Sequence, residues 1–117
     1  MKKWFVILNH DLTEEQRKML SGEIKHYKPG EIDPSADEQE VLEKAKEIIE
    51  MIKNYNPDAV ICQTEWGLTF TIVDWCLRND VPVYYFTTKR VVKDLGDGKI
   101  LREFKPERIR KYEIIKQ

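Results

Sequence analysis

Apolar residues fall in short runs separated by helical patterns. Residues 3–8 (KWFVIL) form a nearly unbroken apolar run, the mark of a strand buried on both faces. Asn9, His10 and Asp11 end it, and Thr13 with Gln16 three residues on forms a capping box that predicts a helix closing at Gly22. Residues 24–27 read as a second strand, and Pro29, Gly30 and Pro34 mark a loop. Over residues 36–55, Val41, Leu42, Ala45, Ile48, Ile49 and Ile52 recur at the helical period, and Pro57 stops the helix. A third strand is predicted at 59–62 (AVIC), with Gln63 as its polar end. Thr64–Gly67 then turns into a helix over 68–78, and Pro82 opens a fourth strand.

This order of strands and helices predicts one α/β domain over residues 1–117. Its expected architecture is Rossmann-like: a mostly parallel sheet with helices on both faces. The end of the chain breaks the alternation. Residues 87–95 and 99–104 flank Gly96-Asp97-Gly98, and Asp-Gly between strand-like runs predicts a C-terminal β-hairpin. The tail KPERIRKYEII is placed to extend its second arm.

Charge sharpens the picture more than overall composition does. Charged residues make up 35% of the chain, yet the formal net charge is only −1. Residues 1–83 hold 10 Lys+Arg against 16 Asp+Glu, and residues 84–117 hold 10 against 5. The basic third thus begins where residues 81–92 (VPVYYFTTKRVV) pass from apolar to cationic. A local basic region on a mildly acidic chain suits a compact anionic ligand better than a long nucleic acid. No apolar stretch approaches the roughly 20 residues of a membrane span, and the N-terminal run is too short for a signal peptide. A cytoplasmic location is expected. Cys62 and Cys76 sit in apolar stretches without a CxxC, so buried free thiols are expected and no metal or other cofactor is. Neither GxGxxG nor GxxxxGK[ST] is present, which argues against dinucleotide or P-loop binding.

Ligands of open parallel sheets bind beyond the carboxyl ends of the strands. Three predicted strand ends are rich in polar groups: Asn9 and His10; Gln63, Thr64, Glu65, Trp66 and Gly67; and Thr87, Thr88, Lys89 and Arg90. Hydroxyls, a guanidinium fork, an ammonium group and a helix N-terminus all suit phosphate oxygens. Trp66 suits base stacking. Plainer roles stay open: His10 as an exposed loop residue, Trp66 packed on the sheet edge, the threonines as ordinary strand formers, and Lys89-Arg90 as a solvated pair.

Four segments carry a resemblance: LNHDLTEEQ at 8–16, ICQTEWG at 61–67, YFTTKRVV at 85–92 and FKPERIRKYE at 104–113. In this order they resemble small stand-alone CRISPR-associated proteins of the Csx group, the type numbered twenty, which have a CARF-type fold and resemble ring nucleases. Where the family pattern has an acid, this chain has Lys89, and Thr64-Glu65-Trp66 replaces a Gly-Asp-Phe-like stretch. The resemblance implies binding of a cyclic oligoadenylate, usually cyclic tetra-adenylate, across a homodimer. It further implies metal-independent cleavage of the ring by ribose 2′-OH attack, which switches off type III CRISPR signalling. Arg90, Thr88, His10 and Lys89 are then the catalytic candidates, and Asn9, Gln63, Thr64, Glu65, Trp66, Gly67 and Thr87 the ligand-binding ones. A non-catalytic sensor of the same ligand, a binder of linear RNA and an interaction protein are the competing readings.

Overall fold

The computed structural model describes residues 1–116. Its elements are β1 (Lys3–Leu8), α1 (Glu14–Met19), β2 (Glu23–Tyr27), α2 (Glu38–Tyr55), β3 (Ala59–Gln63), α3 (Trp66–Arg78), β4 (Val83–Gly96) and β5 (Lys99–Lys111). They build a five-stranded mixed sheet in the order β2-β1-β3-β4-β5. The first four strands run parallel, and β5 returns antiparallel to β4. The α/β class, the mostly parallel sheet and the terminal hairpin are as the pattern predicts.

Apolar side chains lie on both faces of the central strands. Phe5, Ile7, Val60, Cys62 and Val83 pack under Ala45, Ile48 and Ile52 of α2 and Leu68, Ile72 and Cys76 of α3. On the opposite face Trp4, Val6, Leu8, Ala59, Ile61 and Phe86 pack with Leu12 and Leu20, which bracket α1. This two-sided burial is why KWFVIL and AVIC read as continuous apolar runs rather than alternating ones.

The helix ends follow local chemistry. Thr13 and Gln16 form the reciprocal capping box. Helix α2 starts two residues later than the periodicity suggests, because the Asp37 carboxylate caps the Glu40 N–H at 2.9 Å. It ends with Asn56 in the left-handed region (φ 53°), so the stop is made before Pro57. At Gly22 (φ 110°) the chain passes so close to β1 that a Cβ would lie 2.0 Å from the Lys2 carbonyl oxygen. Only glycine fits there.

The largest difference from the sequence reading is at β4. The fourth strand does not end at Thr87–Arg90. It runs unbroken into the first arm of the hairpin, and β5 continues through the tail to Lys111. Pairing with residues 99–111 across the turn keeps the polar stretch extended. Asp97 (φ 52°) and Gly98 (φ 75°) supply the two positive φ values of the tight turn. Strand β3 pairs with β4 only at Val60↔Val83 and Ile61↔Tyr84. Beyond Phe86 the β4–β5 ribbon therefore leaves the sheet as an arm, with a register shift between Thr87 and Thr88 where it departs. The arm makes the molecule elongated: its radius of gyration is 16.4 Å, against about 13 Å for a compact chain of this length.

Candidate functional site

The chain leaves β1 toward β2 on one side and returns to β3 on the other. The carboxyl ends of β1 and β3 therefore frame the switch point at which open α/β sheets bind ligands. Asn9 stands there and uses both ends of its amide. Its Nδ2 donates to Thr64 Oγ1 at 3.3 Å, and its Oδ1 accepts the Gly30 N–H at 2.8 Å. One side chain thus ties the end of β1 to the end of β3 and to the loop after β2. Thr64 is fixed from its other side, its N–H donating to Thr69 Oγ1 at 2.9 Å.

Gln63 holds two strands together. Its Oε1 accepts the Phe86 N–H at 2.7 Å, and its Nε2 donates to the Phe86 carbonyl at 3.3 Å. The side chain replaces a missing rung between β3 and β4. Since Leu8 pairs with Gln63, this puts Asn9, Thr64 and Thr87 in the next row, at the rim of the sheet. Glu65 is likewise engaged locally, where its carboxylate caps α3 by accepting the Leu68 N–H at 2.8 Å. The helix start expected to attract an anion already carries a negative charge. Gly67 keeps this cap compact, since a Cβ there would lie 3.2 Å from the Glu65 carboxylate.

Trp66 does not pack on the sheet edge; it is 91% exposed. Phe70, one turn later on α3, is 73% exposed. With Gln63, Thr64, Val73 and Tyr112 they line an open recess of about 510 Å³ beside the rim. Tyr112 is held from beneath, its hydroxyl donating to the Cys62 carbonyl at 3.1 Å and its ring 4.6 Å from that of Tyr85. Phe70 is detectable in the sequence as the i+4 neighbour of Trp66. Tyr112 is not, because its place depends on pairing across the hairpin.

Thr87 donates its hydroxyl to the Arg108 carbonyl at 3.3 Å. Thr88, Lys89 and Arg90 are exposed at the base of the arm. Strand alternation puts Thr88 and Arg90 on the face of Phe86, and Thr87 and Lys89 on the face of Tyr85. The four residues do not form one row. Among the described residues no hydrogen bond joins Thr88, Lys89 or Arg90 to Asn9, His10 or Thr64. His10 is exposed, with its Nδ1 2.9 Å from the Asp11 carbonyl. Neighbouring Asp11 pairs with Lys28 at 2.5 Å, and that ammonium holds its carboxyl below the usual value. His26, to which no sequence motif points, lies behind the rim with Nε2 2.9 Å from the Leu8 carbonyl, the last of β1.

Among the described residues no group of three or more His, Cys, Asp or Glu is placed to hold a metal ion. Among the described residues no helix is long and apolar enough to cross a membrane. Cys62 and Cys76 are both buried and free, and burial pushes each thiol up to about 12. At pH 8 the native protein should therefore resist iodoacetamide, whereas both thiols should react in urea. Mass spectrometry of the alkylated chain checks this, and rapid native labelling of either cysteine would contradict it.

No solved structure matches the chain. Uncharacterized protein MJ1673 of Methanocaldococcus jannaschii is 35% identical over 127 aligned residues, which cover 96% of this chain and 98% of that protein. Residues 2–110, from the first strand almost to the end of the hairpin, match the Uncharacterized protein MJ1673 family. The chain belongs to that family.

Proposed function

We propose that the protein is a CARF-type ring nuclease that binds a cyclic oligoadenylate, with cyclic tetra-adenylate the first ligand to test, and opens it without a metal. One observation carries the reading. An ordered polar rim (Asn9–Thr64) and an aromatic recess (Trp66, Phe70, Tyr112) adjoin at Thr64 on the carboxyl edge of the sheet, the edge from which the strand bearing Lys89 and Arg90 departs. Aromatic faces suit adenines, and cations suit the phosphates between them. A two-fold ring suits a two-fold dimer, in which each chain supplies half of the cradle.

The chemistry needs no external nucleophile. A ribose 2′-oxygen bonds to the adjacent phosphorus, the P–O5′ bond breaks, and the 2′-hydroxyl proton ends on the departing 5′-oxygen. The product is linear with a 2′,3′-cyclic phosphate. The protein must align the 2′-oxygen with the leaving group and stabilise charge on the phosphorane-like state. Arg90 and Lys89 are assigned the charge, Thr88 and Thr87 the orientation of the phosphate, and His10 the proton transfer. Asn9 organises the rim, and Trp66 with Thr64 contacts base or ribose. Gln63, Glu65 and Gly67 act by holding β4 and the start of α3 in place.

A sensor that binds the ring without cutting it is the second reading. It is favoured by the position of His10, which bonds to a backbone carbonyl rather than to a carboxylate that would orient it for catalysis. Incubating the protein with cyclic tetra-adenylate in EDTA, followed by mass spectrometry and calorimetry, separates the two. Linear products ending in a 2′,3′-cyclic phosphate are expected. An intact ring that binds with measurable heat selects the sensor, and an intact ring without heat removes the ligand assignment.

A further inference from the structure

We infer that the β4–β5 arm is a clasp: the arm of one copy lies across the acidic carboxyl-edge surface of a second copy of this chain. The inference stands apart from the cyclic-nucleotide reading, because it rests on the arm and on the surface that complements it.

Among the described residues, no third strand pairs with the two strands of the arm beyond Thr87. A bare two-stranded ribbon is marginally stable in water, and this one exposes large apolar groups. Phe104 is 68% exposed, and Val92 and Ile100 are more than half exposed. The register puts these three on one face: Arg90 pairs with Phe104, Val92 with Arg102, and Asp94 with Ile100. Apolar groups flanked by two arginines make a face with the composition of a protein interface.

The complementary surface is on the same chain. Residues 31–55 hold eight Asp+Glu against three Lys, whereas arm residues 88–111 hold nine Lys+Arg against four Asp+Glu. Glu38, Glu40, Glu43 and Glu47 are exposed on α2, with Leu42 as an exposed apolar residue among them. This acidic half of α2 lies at the carboxyl edge. The loop before it is bonded to Asn9 through Gly30, while Tyr55 at the other end of the helix accepts from Lys3 at the start of β1. The arm leaves from the same edge but on the far side of the sheet, β4–β5 rather than β1–β2. Two copies related by a two-fold axis at this edge each lay an arm over the other's acidic surface, in two identical contacts.

Charge exchange tests the clasp. One variant carries Arg90→Glu and Arg102→Glu, the other Glu40→Arg and Glu43→Arg. Circular dichroism and thermal melts establish that both are folded. Light scattering after size-exclusion chromatography is expected to show a wild-type dimer that weakens as salt is raised. Each variant alone should dissociate about tenfold or more readily, because both of its contacts are repulsive. An equimolar mixture should recover the dimer, since in the heterodimer the acidic arm meets the basic helix at one contact and the unchanged arm meets the unchanged helix at the other. A wild-type monomer at about 100 μM overturns the clasp, as does a helix variant that dimerises normally or a mixture that stays monomeric. A wild-type monomer that retains RNA assigns the arm to nucleic acid instead. A monomer that still binds cyclic tetra-adenylate overturns the clasp alone, and a salt-sensitive dimer without affinity for the ring overturns the ligand assignment alone.

Discussion

Replacing Arg90 by alanine is expected to lower the single-turnover rate of cyclic tetra-adenylate cleavage by about 10²-fold or more, with a smaller loss of ring affinity. The size follows from the role. Removing one preorganised donor from a developing anion costs on the order of 10²–10³ in rate, and a guanidinium can donate two parallel hydrogen bonds to a phosphoryl group. Arg90→Lys should recover only part of the rate, because an ammonium keeps the charge but loses the planar fork. Lys89→Ala should cost less, since Lys89 is on the opposite face of β4 and gives a mobile point charge. The comparison reads the alternation of the strand directly. If Lys89→Ala is the more damaging change, the reacting phosphate lies on the Tyr85 face of β4, and the assignment of the charge to Arg90 is wrong. Rates should be measured with enzyme in excess, so that affinity and chemistry are read separately.

Most of the frame is legible in the sequence because its signals are local. Two-sided burial is written as KWFVIL and AVIC, the capping box as Thr13 and Gln16, and the turn as Asp97-Gly98. What the sequence hides depends on pairing over distance. Thr87–Arg90 looks like a strand end because hydroxyls and cations follow an apolar run. Residues 104–108, across the hairpin turn, hold that stretch extended, which no local window contains. Glu65 reads as a ligand contact and is a helix cap. Caps are sought first among Ser, Thr, Asp and Asn, so the longer glutamate reaching to the Leu68 N–H gives no cue. The recess beside Trp66 is closed by Tyr112, whose position is set by the hairpin register. Of the candidate residues, the structure joins Asn9 to Thr64 and sets Gln63 beneath Thr87; it leaves His10 and Arg90 exposed and apart.

Gln63→Ala is expected to lower stability by about 2–4 kcal/mol, because it strands two backbone groups at once. The Phe86 N–H and carbonyl both face β3 and find no backbone partner there; the Gln63 amide alone serves them. Phe86 is itself buried, so the freed groups are poorly placed to recover water. At roughly 4–8 °C per kcal/mol, the figure for domains of about 60–100 residues, the melting temperature should fall by about 8–30 °C. Gln63→Glu gives a second, independent reading. A carboxylate can accept from the Phe86 N–H but repels the Phe86 carbonyl, whereas the protonated acid can serve both. The folded state thus holds the proton more tightly, and the pKa of the introduced carboxyl rises above its unfolded value of about 4.3. The stability contributed by that proton is fully present below the unfolded value and is lost as pH rises through the folded one. The Gln63→Glu variant should therefore approach wild type in acid and resemble Gln63→Ala at neutral pH. Urea titrations across this range measure the difference. A Gln63→Ala protein that melts with wild type but binds the ring more weakly would return Gln63 to the ligand and remove it from the frame that holds β4 against β3.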